Sequence, residues 1–427
     1  MGTVEPQPPS NEIDPRHFRI LDVVERPPAD RPTRQTVESI ADWLAGPVLR
    51  NESGAHAIDE FAWRMLAAGF PLLRLSLHSG TLHPQFLGAA FRWWRDTGQT
   101  VQTMIAHEVR DIVPYEHNPV RRVIEGGETL RRRLDVPGLE FDFSILHELK
   151  AKGATDYVSM PIPSAHGPAY AVTFTTDRGG GFSAQEISEM TRLAHRLQGA
   201  CDTYSERALT RNLLNAYLGA KAGPKVLAGQ IRRGTGEELA AVLWSSDLRG
   251  FTERSDRLAG DRMITILNAL FEAQAKAIHD HGGEILKFIG DGLLAIFPID
   301  EAGRAQAATE NALDAARAAL DAVRGLADEP SMTGEPPLKI VVALHTGTVM
   351  YGNVGSADRL DFTVIGPAVN LVSRMEAAAK ALNQRIVVSD DFARAYGRPL
   401  RSLGSHQFRG LTTAHELFAP QASEASE

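Results

Sequence analysis

Two aspartates in the second half of the chain have the residue type and the placement of metal ligands. Asp247 ends the apolar run ELAAVLWSSD, and Asp291 lies between two glycines in ILKFIGDGLLAIF, a pattern that predicts a tight hairpin turn. Carboxylate oxygens suit hard cations such as Mg²⁺, which usually keep a nucleotide phosphate. Taken singly, each aspartate is typical of an ordinary strand end or turn, so only the joint pattern indicates chemistry.

Three further polar residues could act on the same substrate. Asn370 and Arg374 are four residues apart in NLVSRME, so on a helix they share one face. Arg374 stays charged and can donate two parallel hydrogen bonds, which suits a phosphate group. Lys287 interrupts an apolar stretch four residues before Asp291, and a charge at such a position needs a partner or a route to the surface.

The elements that position these residues predict a mixed α/β domain at 237–420. Apolar residues at helical spacing follow the first aspartate, and the hairpin comes next. An Ala-rich helix at 302–324 and a strand at 338–347 lead to Pro367, which opens the helix with the Asn and Arg. RIVVSDDFARAYG predicts a strand and a helix, and QFRGL and AHELF predict the last strands.

The first half predicts a separate α+β domain at 34–204, after a Pro-rich flexible tail at 1–33. Two amphipathic helices precede strands at LLRLSL, TVQTMIA, DYVSMPI and YAVTFTT. Ser183 is the expected N-cap of a long helix. Residues 205–236 join the halves as a helical linker, which is either a plain connection or a signalling helix at a dimer contact. Residues 421–427 form a C-terminal tail.

Composition excludes several classes of function. The net charge of −8 over 427 residues gives no global basic field that would attract nucleic acid or anionic lipid. A single cysteine, Cys201, excludes an intrachain disulfide framework and a thiolate zinc site. No apolar run approaches the roughly 20 residues of a membrane span, and the acidic start lacks a secretory signal. We therefore expect a cytoplasmic protein without a membrane span or a nucleic-acid partner.

Four motifs within 237–420 together resemble the catalytic domain of the class III nucleotidyl cyclases. They are SSDLRGFTERSD, EILKFIGDGLLAIFP, HTGTVMYGNVGS and DFTVIGPAVNLVSRME, in the order that the family shows. The resemblance implies a ferredoxin-like βαββαβ core sheet with flanking helices. GATDYVSMPIP and YAVTFTTDRGGGFSAQEISEMTRLA in the first half resemble a GAF-type domain, which implies a sensor or regulatory role.

The cyclase resemblance assigns metal-binding and catalytic roles residue by residue. Asp247 and Asp291 match the two metal-binding aspartates, and the backbone carbonyl of Leu248 would add a ligand. The implied cofactors are two Mg²⁺ or Mn²⁺ ions per site. Asn370 and Arg374 match the pair that acts on the transition state.

Phosphate contacts are also implied by the resemblance. The amides around Gly250, Phe251 and Thr252 would hold phosphate oxygens. Arg409 stands where the family usually has a phosphate-binding lysine, which keeps the charge but changes the geometry. A second departure is Pro367, which replaces the acidic residue of the common form VIGDAVN without removing a catalytic role.

Lys287 and Thr363 match the two positions that contact the purine. A lysine donates to the adenine N1 acceptor and a hydroxyl can accept from the N6 amino group, so the pair favours ATP. Lys with Thr, where many relatives have Lys with Asp, resembles the class IIIb subgroup. Stimulation by bicarbonate at the catalytic domain is therefore a hypothesis for this chain.

The family builds its site between two catalytic domains, and this chain carries both sets of residues in one. The resemblance thus implies a head-to-tail homodimer with two equivalent sites. The predicted function is an adenylate cyclase that converts ATP to cyclic AMP and diphosphate, regulated through the N-terminal domain by an unidentified ligand. The alternatives are a guanylate cyclase and a catalytically degenerate nucleotide-binding signalling module.

One histidine pair in the first half could suggest a different chemistry. His78 and His83, in LHSGTLHPQF, would fit a metal or haem sensor. Two histidines near a turn are more typical of a surface or of a hydrogen-bonded core, and we expect no ligand role for them.

Overall fold

The chain divides into two compact units, Met1–Leu213 and Leu214–Glu427. The division falls inside a helix, later in the chain than the predicted domain boundary at residue 204. The computed structural model describes residues 17–80, 86–107, 109, 118–138, 140–165, 169–219, 221–232, 234–299, 304–329, 332–356, 358–411 and 413–421.

The first unit is built on a seven-stranded antiparallel sheet. Its strands are β1 (Phe18–Glu25), β2 (Arg74–Gly80), β3 (Phe86–Trp94), β4 (Gln99–Ala106), β5 (Leu130–Arg133), β6 (Asp156–Ile162) and β7 (Tyr170–Thr176). They lie in the order β1-β4-β3-β2-β7-β6-β5. The predicted flexible tail at 1–33 is therefore wrong for β1, because this strand pairs along its length with β4.

Helices cover both faces of this sheet. They are α1 (Val37–Leu44), α2 (Gly54–Ala67), α3 (Pro119–Gly126), α4 (Ser144–Ala151) and α5 (Ala184–Leu218). The largest apolar core of the unit packs α1, α2 and α5 against one face. Ser183 caps α5 as predicted, since its Oγ accepts from the Glu186 N–H at 3.2 Å and the Glu186 carboxylate accepts from the Ser183 N–H at 2.7 Å. The α+β prediction for this half is confirmed.

The second unit has a sheet of eight strands. They are β8 (Gly236–Leu248), β9 (Glu284–Ile289), β10 (Gly292–Pro298), β11 (Ile340–Gly355), β12 (Leu360–Ile365), β13 (Ile386–Ser389), β14 (Arg401–His406) and β15 (His415–Ala419). Their order is β14-β15-β13-β11-β8-β10-β9, with β12 paired to β11. β13 runs parallel to β11 and the other pairs are antiparallel.

The helices of this unit are α6 (Ala222–Leu227), α7 (Phe251–Arg257), α8 (Gly260–Asp280), α9 (Ala305–Gly325), α10 (Pro367–Ala381) and α11 (Asp390–Tyr396). The chain order β8-α8-β9-β10-α9-β11 with the sheet order β11-β8-β10-β9 is the βαββαβ core expected from the sequence. α8 and α9 pack on the sheet face that carries Trp244 and Phe297. α10 packs on the opposite face with Leu243 and Ile296.

One predicted strand of the second unit is wrong. Residues 407–411, QFRGL, form a turn region, and the strand β14 precedes them. Gly410 has a φ of 77°, a backbone conformation that suits a turn and not a strand. In the part of the chain that the structure describes, no helix is both long and apolar enough to span a membrane.

Candidate active site

Asp247 and Asp291 meet where β8 passes the β9–β10 hairpin. Asp247 is the penultimate residue of β8, and Asp291 lies in the two-residue turn before β10. Leu293 of β10 lies opposite Ser246, so Gly292 passes directly beside Asp247. A Cβ on Gly292 would lie 3.2 Å from Asp247 Oδ1 and closer still to the Ser246 carbonyl oxygen, so the approach requires glycine.

The electrostatic environment of the hairpin turn is unfavourable for negative charge. Burial raises the pKa of Asp291, against the lowering effect of hydrogen bonds from its own N–H and from the Leu248 N–H. Burial also raises the pKa of Glu376 on α10, and the charge of Asp291 adds to that shift. Glu376 therefore lies within electrostatic reach of Asp291.

Lys380 of α10 lies against the same carboxylates. Its ammonium forms an ion pair with Asp247 and lies 3.4 Å from Glu376 Oε1. Glu376 also accepts a 2.9 Å hydrogen bond from Ser245 Oγ. Two carboxylates, those of Asp247 and Glu376, thus share one ammonium. Glu376 and Lys380 were not predicted from the sequence, because an i, i+4 spacing on a helix is typical of an ordinary surface ion pair.

The loop after Asp247 leads into α7. Gly250 adopts a φ of 73° and precedes the first helical residue, Phe251. The left-handed backbone at Gly250 turns the chain from β8 into the helix, and nothing lies within 4 Å of a Cβ built there. The structure therefore places the amides of Gly250, Phe251 and Thr252 at the open start of α7, shortly after Asp247.

Lys287 and Thr363 lie on neighbouring strands. Tyr351 of β11 donates to Glu284 of β9 at 3.1 Å, and β12, which pairs with β11, also contacts β9. Thr363 is 5% exposed, and its buried Oγ1 has no hydrogen-bond partner in the part of the chain that the structure describes. Among the described residues, no carboxylate forms an ion pair with Lys287. The two predicted purine contacts are thus available to a ligand.

Asn370 and Arg374 lie on α10, which begins at Pro367 as expected. Asn370 is exposed, and Arg374 has a buried Nη1 without a hydrogen-bond partner. A Cβ on Gly410 would lie 3.4 Å from Arg374 Nη2, so this guanidinium lies against the turn that carries Arg409. Arg409 is exposed in that turn. The structure therefore brings the Arg374 side chain to the segment of Arg409.

The aspartates and the Asn–Arg pair do not meet within one chain. Lys380, which contacts Asp247, lies ten residues after Asn370 and six after Arg374 on α10. At about 1.5 Å per residue, these separations are about 15 Å and about 9 Å along the helix axis. The Arg374 guanidinium points to Gly410, whereas the Lys380 ammonium points to Asp247. The predicted residues therefore lie in two separate groups within one chain.

The comparisons with known proteins concern mainly the second unit. The family described as "Adenylate and Guanylate cyclase catalytic domain" matches residues 237–408. An adenylate cyclase from Anabaena cylindrica is 36% identical over 157 residues, which are 36% of this chain and 30% of that protein. Adenylate cyclase 2 from Rhizobium meliloti (strain 1021) is 30% identical over 198 residues, 45% of this chain and 52% of that protein.

Among solved structures, the adenylyl cyclase CyaB from P. aeruginosa is 26% identical, with a TM-score of 0.41, and the match covers 45% of this chain and 98% of that chain. The chain spans about half or less of the length of the two curated relatives named above. The match over residues 237–408 supports the coarse prediction from the motifs, that this part of the chain is similar to a nucleotidyl cyclase catalytic domain. The resemblance of 34–204 to a GAF-type domain stays a prediction.

Proposed function

We propose that the chain is an adenylate cyclase, which converts ATP to 3′,5′-cyclic AMP and diphosphate. The choice of ATP rests on one observation, the placement of Lys287 and Thr363 on contacting strands. Among the described residues, Lys287 forms no ion pair with a carboxylate and Thr363 Oγ1 has no hydrogen-bond partner. A buried hydroxyl without a partner costs free energy, and the N6 amino group of adenine would satisfy it. The Lys287 ammonium would donate to adenine N1.

Asp247 and Asp291 fit a divalent cation, because their donor atoms are oxygens and the local carboxylates outnumber the ammonium of Lys380. In the described residues no three metal-ligating side chains converge, so the donor set would be these two aspartates and the Leu248 carbonyl. Mg²⁺ or Mn²⁺ held there would favour the ribose 3′-alkoxide and bind the β and γ phosphates.

The remaining residues would position the substrate and stabilise its charge. The 3′-hydroxyl loses its proton, its oxygen bonds to the α-phosphorus, and the bond from this phosphorus to the leaving diphosphate breaks. Arg374 and Arg409 supply fixed positive charge where negative charge grows on the α-phosphate. Asn370 orients the ribose, and the amides of the Gly250 loop hold phosphate oxygens.

A second copy of the chain would complete the site. The two groups of residues are separated by about 9 to 15 Å along α10 in one chain, and a twofold head-to-tail arrangement would join the aspartates of one copy to Asn370 and Arg374 of the other. Several apolar side chains near the purine strands are exposed in the single chain and would be covered by the partner: Phe288, Ile289, Met350, Val354 and Ile365. The proposed enzyme is therefore a homodimer.

Chromatography of the products from ATP and from GTP tests the proposed substrate. We expect metal-dependent cyclic AMP from ATP, with little cyclic GMP from GTP. Turnover of GTP alone would favour the guanylate cyclase alternative. No turnover of either nucleotide with Mg²⁺ or Mn²⁺ would favour a degenerate binding module.

Mixing two inactive variants tests the shared site. Asp247→Ala and Arg374→Ala should each abolish turnover, and their heterodimer has one intact site of two. With random pairing, half of the dimers are mixed, so the mixture should recover about one quarter of wild-type activity. If the mixture stays inactive while size-exclusion chromatography shows mixed dimers, each site belongs to a single chain.

Two regulatory hypotheses accompany this proposal. The first unit would act as a regulatory domain, with the GAF-type resemblance as its support. Bicarbonate would stimulate the enzyme through the catalytic domain. The cyclase rate with and without bicarbonate at constant pH tests the latter, and an unchanged rate rejects it.

A further inference from the structure

One face of the sheet in the first unit carries polar side chains, here called the polar face. On β2, Arg74, Ser76 and His78 alternate with Leu75 and Leu77, which belong to the apolar core on the other side. The strand register continues the polar face onto the neighbouring strands, where Ser76 is opposite Arg92 and Thr173. The polar face comprises Arg74, Ser76, His78, Arg92, Thr103, Ser159, Thr173 and Thr175.

The polar face is not a solvent-exposed surface. Ser76, Ser159 and Thr175 are fully buried, Thr173 is 1% exposed and Arg74 is 6% exposed. A small apolar cluster that includes Val123 of α3 and Leu146 of α4 packs on the same side of the sheet. α3 and α4 therefore cover the polar face. In a strand with alternating polar and apolar residues, this face is normally exposed to water.

Several polar atoms on this face have no hydrogen-bond partner although they are buried. Among the described residues, they are Thr173 Oγ1, Thr175 Oγ1 and Arg92 Nε. Buried donors and acceptors are rarely left unpaired, because the hydrogen bonds that they lose to water are then not replaced. Three such atoms on β3 and β7, the two strands that flank β2, point to a ligand that satisfies them.

The polar face also carries uncompensated positive charge. Among the described residues, neither Arg74 nor Arg92 forms an ion pair with a carboxylate: Arg74 stacks on Trp94 at 5.4 Å, and Arg92 Nη2 donates to Thr103 Oγ1 at 2.8 Å. Burial lowers the pKa of Arg74 to about 10, which leaves it protonated at neutral pH. The exposed Glu148 on α4 acts on both arginines only at a distance.

His78 does not add to this charge. Burial, assisted by the charges of Arg74 and Arg92, lowers the pKa of His78 to about 3, so its imidazole is neutral. Its Nε2 lies 2.9 Å from Ser76 Oγ. His83 lies outside the described residues, so the expectation that His78 and His83 have no ligand role stays a prediction.

We propose that the polar face binds a small anion through carboxylate or phosphate oxygens, held by Arg74 and Arg92 and by the hydroxyls of Thr173 and Thr175. Guanidinium groups pair with such oxygens through strong charge-assisted hydrogen bonds. The helices over the face limit the ligand to a compact solute. This binding is independent of whether the second unit is an active cyclase.

Isothermal titration calorimetry on the full-length protein tests the proposal, with inorganic phosphate in one arm and succinate in the other. We expect saturable binding of at least one of them, and the stronger arm identifies the anionic group. Arg74→Gln should weaken binding by roughly tenfold or more. Arg133→Gln is the control, because this arginine of β5 pairs with Asp135 outside the polar face and should leave binding unchanged.

Thr173→Val separates a ligand site from a structural polar core. Since Thr173 Oγ1 has no hydrogen-bond partner among the described residues, its removal should leave the unfolding temperature of the free protein unchanged or higher while it weakens anion binding. In NMR titrations, the bound anion should raise the pKa of His78 by offsetting the nearby arginines. The proposal is overturned if neither anion binds saturably, or if Arg74→Gln and Thr173→Val bind as the wild type does.

Discussion

The two units leave polar groups unpaired in different places. In the first unit, Thr173 and Thr175 lie in the middle of a sheet face that helices cover. In the second unit, Thr363 and Arg374 lie next to exposed neighbours, Ile365 and Asn370. An enclosed set can be satisfied only by a small solute, whereas a set at an open margin can receive a nucleotide and a second chain. Under the two proposals above, unpaired polar groups would therefore bind an anion in the first unit and part of a nucleotide in the second.

The largest expected effect comes from Asp291→Asn, which should lower kcat by roughly a thousandfold. The same change should stabilise the metal-free protein at neutral pH. Because burial raises the pKa of Asp291 above 3.8, folding disfavours its ionised form. This cost is fully present above the raised pKa and disappears as the pH falls below 3.8.

Thermal unfolding in the presence of a chelator measures this stabilisation. The variant should unfold at a higher temperature than the wild type at neutral pH, and the difference should vanish in acid. A lower unfolding temperature at neutral pH would show that the carboxylate is favourable without metal, which contradicts the metal-binding role proposed for Asp291.

Removal of one unpaired hydroxyl from each unit compares the two regions directly. Thr363→Val and Thr173→Val both keep the side-chain shape and delete an oxygen that has no partner. Thr363→Val should lower kcat/KM for ATP by roughly tenfold, because it removes a hydrogen bond to the base. Thr173→Val should leave the unstimulated rate unchanged. Equal losses in steady-state assays of both variants would remove the distinction between the units.

Lys380→Met should have a smaller effect, on metal affinity. The Lys380 ammonium forms an ion pair with Asp247, so a bound cation must displace it. Its removal should lower the metal concentration for half-maximal activity severalfold. Lys276→Met is the matched control, since Lys276 pairs with Asp280 on the exposed side of α8. A higher metal requirement in Lys380→Met would instead make this lysine a positioning residue for Asp247.

The smallest expected effect is at Cys201, on the helix that closes the apolar core of the first unit. Burial raises the pKa of this thiol, and the side chain is 5% exposed. It should resist alkylation in the native protein, as mass spectrometry can measure. Slow labelling would report opening of the first unit, and a bound anion should slow it further. Rapid labelling would show that this unit is not closed.

Local patterns in the sequence predicted the elements that are delimited by turns. DYVSMPI and YAVTFTT form strands at the predicted residues. β1 was missed because FRILDVVE follows a Pro-rich stretch, and only its pairing with β4 orders it. β3 was missed because Gly88, Ala89 and Ala90 have low strand propensity, and its pairing with both β2 and β4 overrides that preference.

Site residues at a strand end or in a turn were predicted from the sequence, whereas site residues that only tertiary packing brings together were missed. Asp247 and Asp291 are recognisable from a strand end and a turn. Lys380 joins them only because α10 packs on the same sheet. The polar face was missed because RLSLHS alternates like a strand with one side in water. The sequence of β2 contains no pattern that predicts the helices covering Arg74.

The β9–β10 hairpin has a consequence for kinetics. It carries Lys287 on its first strand and Asp291 in its turn. In the proposed homodimer these residues serve different sites, so a shift of one hairpin changes base affinity at one site and metal affinity at the other. Thermodynamic linkage then requires that each nucleotide alters the affinity for the next. The saturation curve for ATP should therefore depart from a hyperbola. If the β9–β10 hairpin is immobilised against β8, the curve should become hyperbolic.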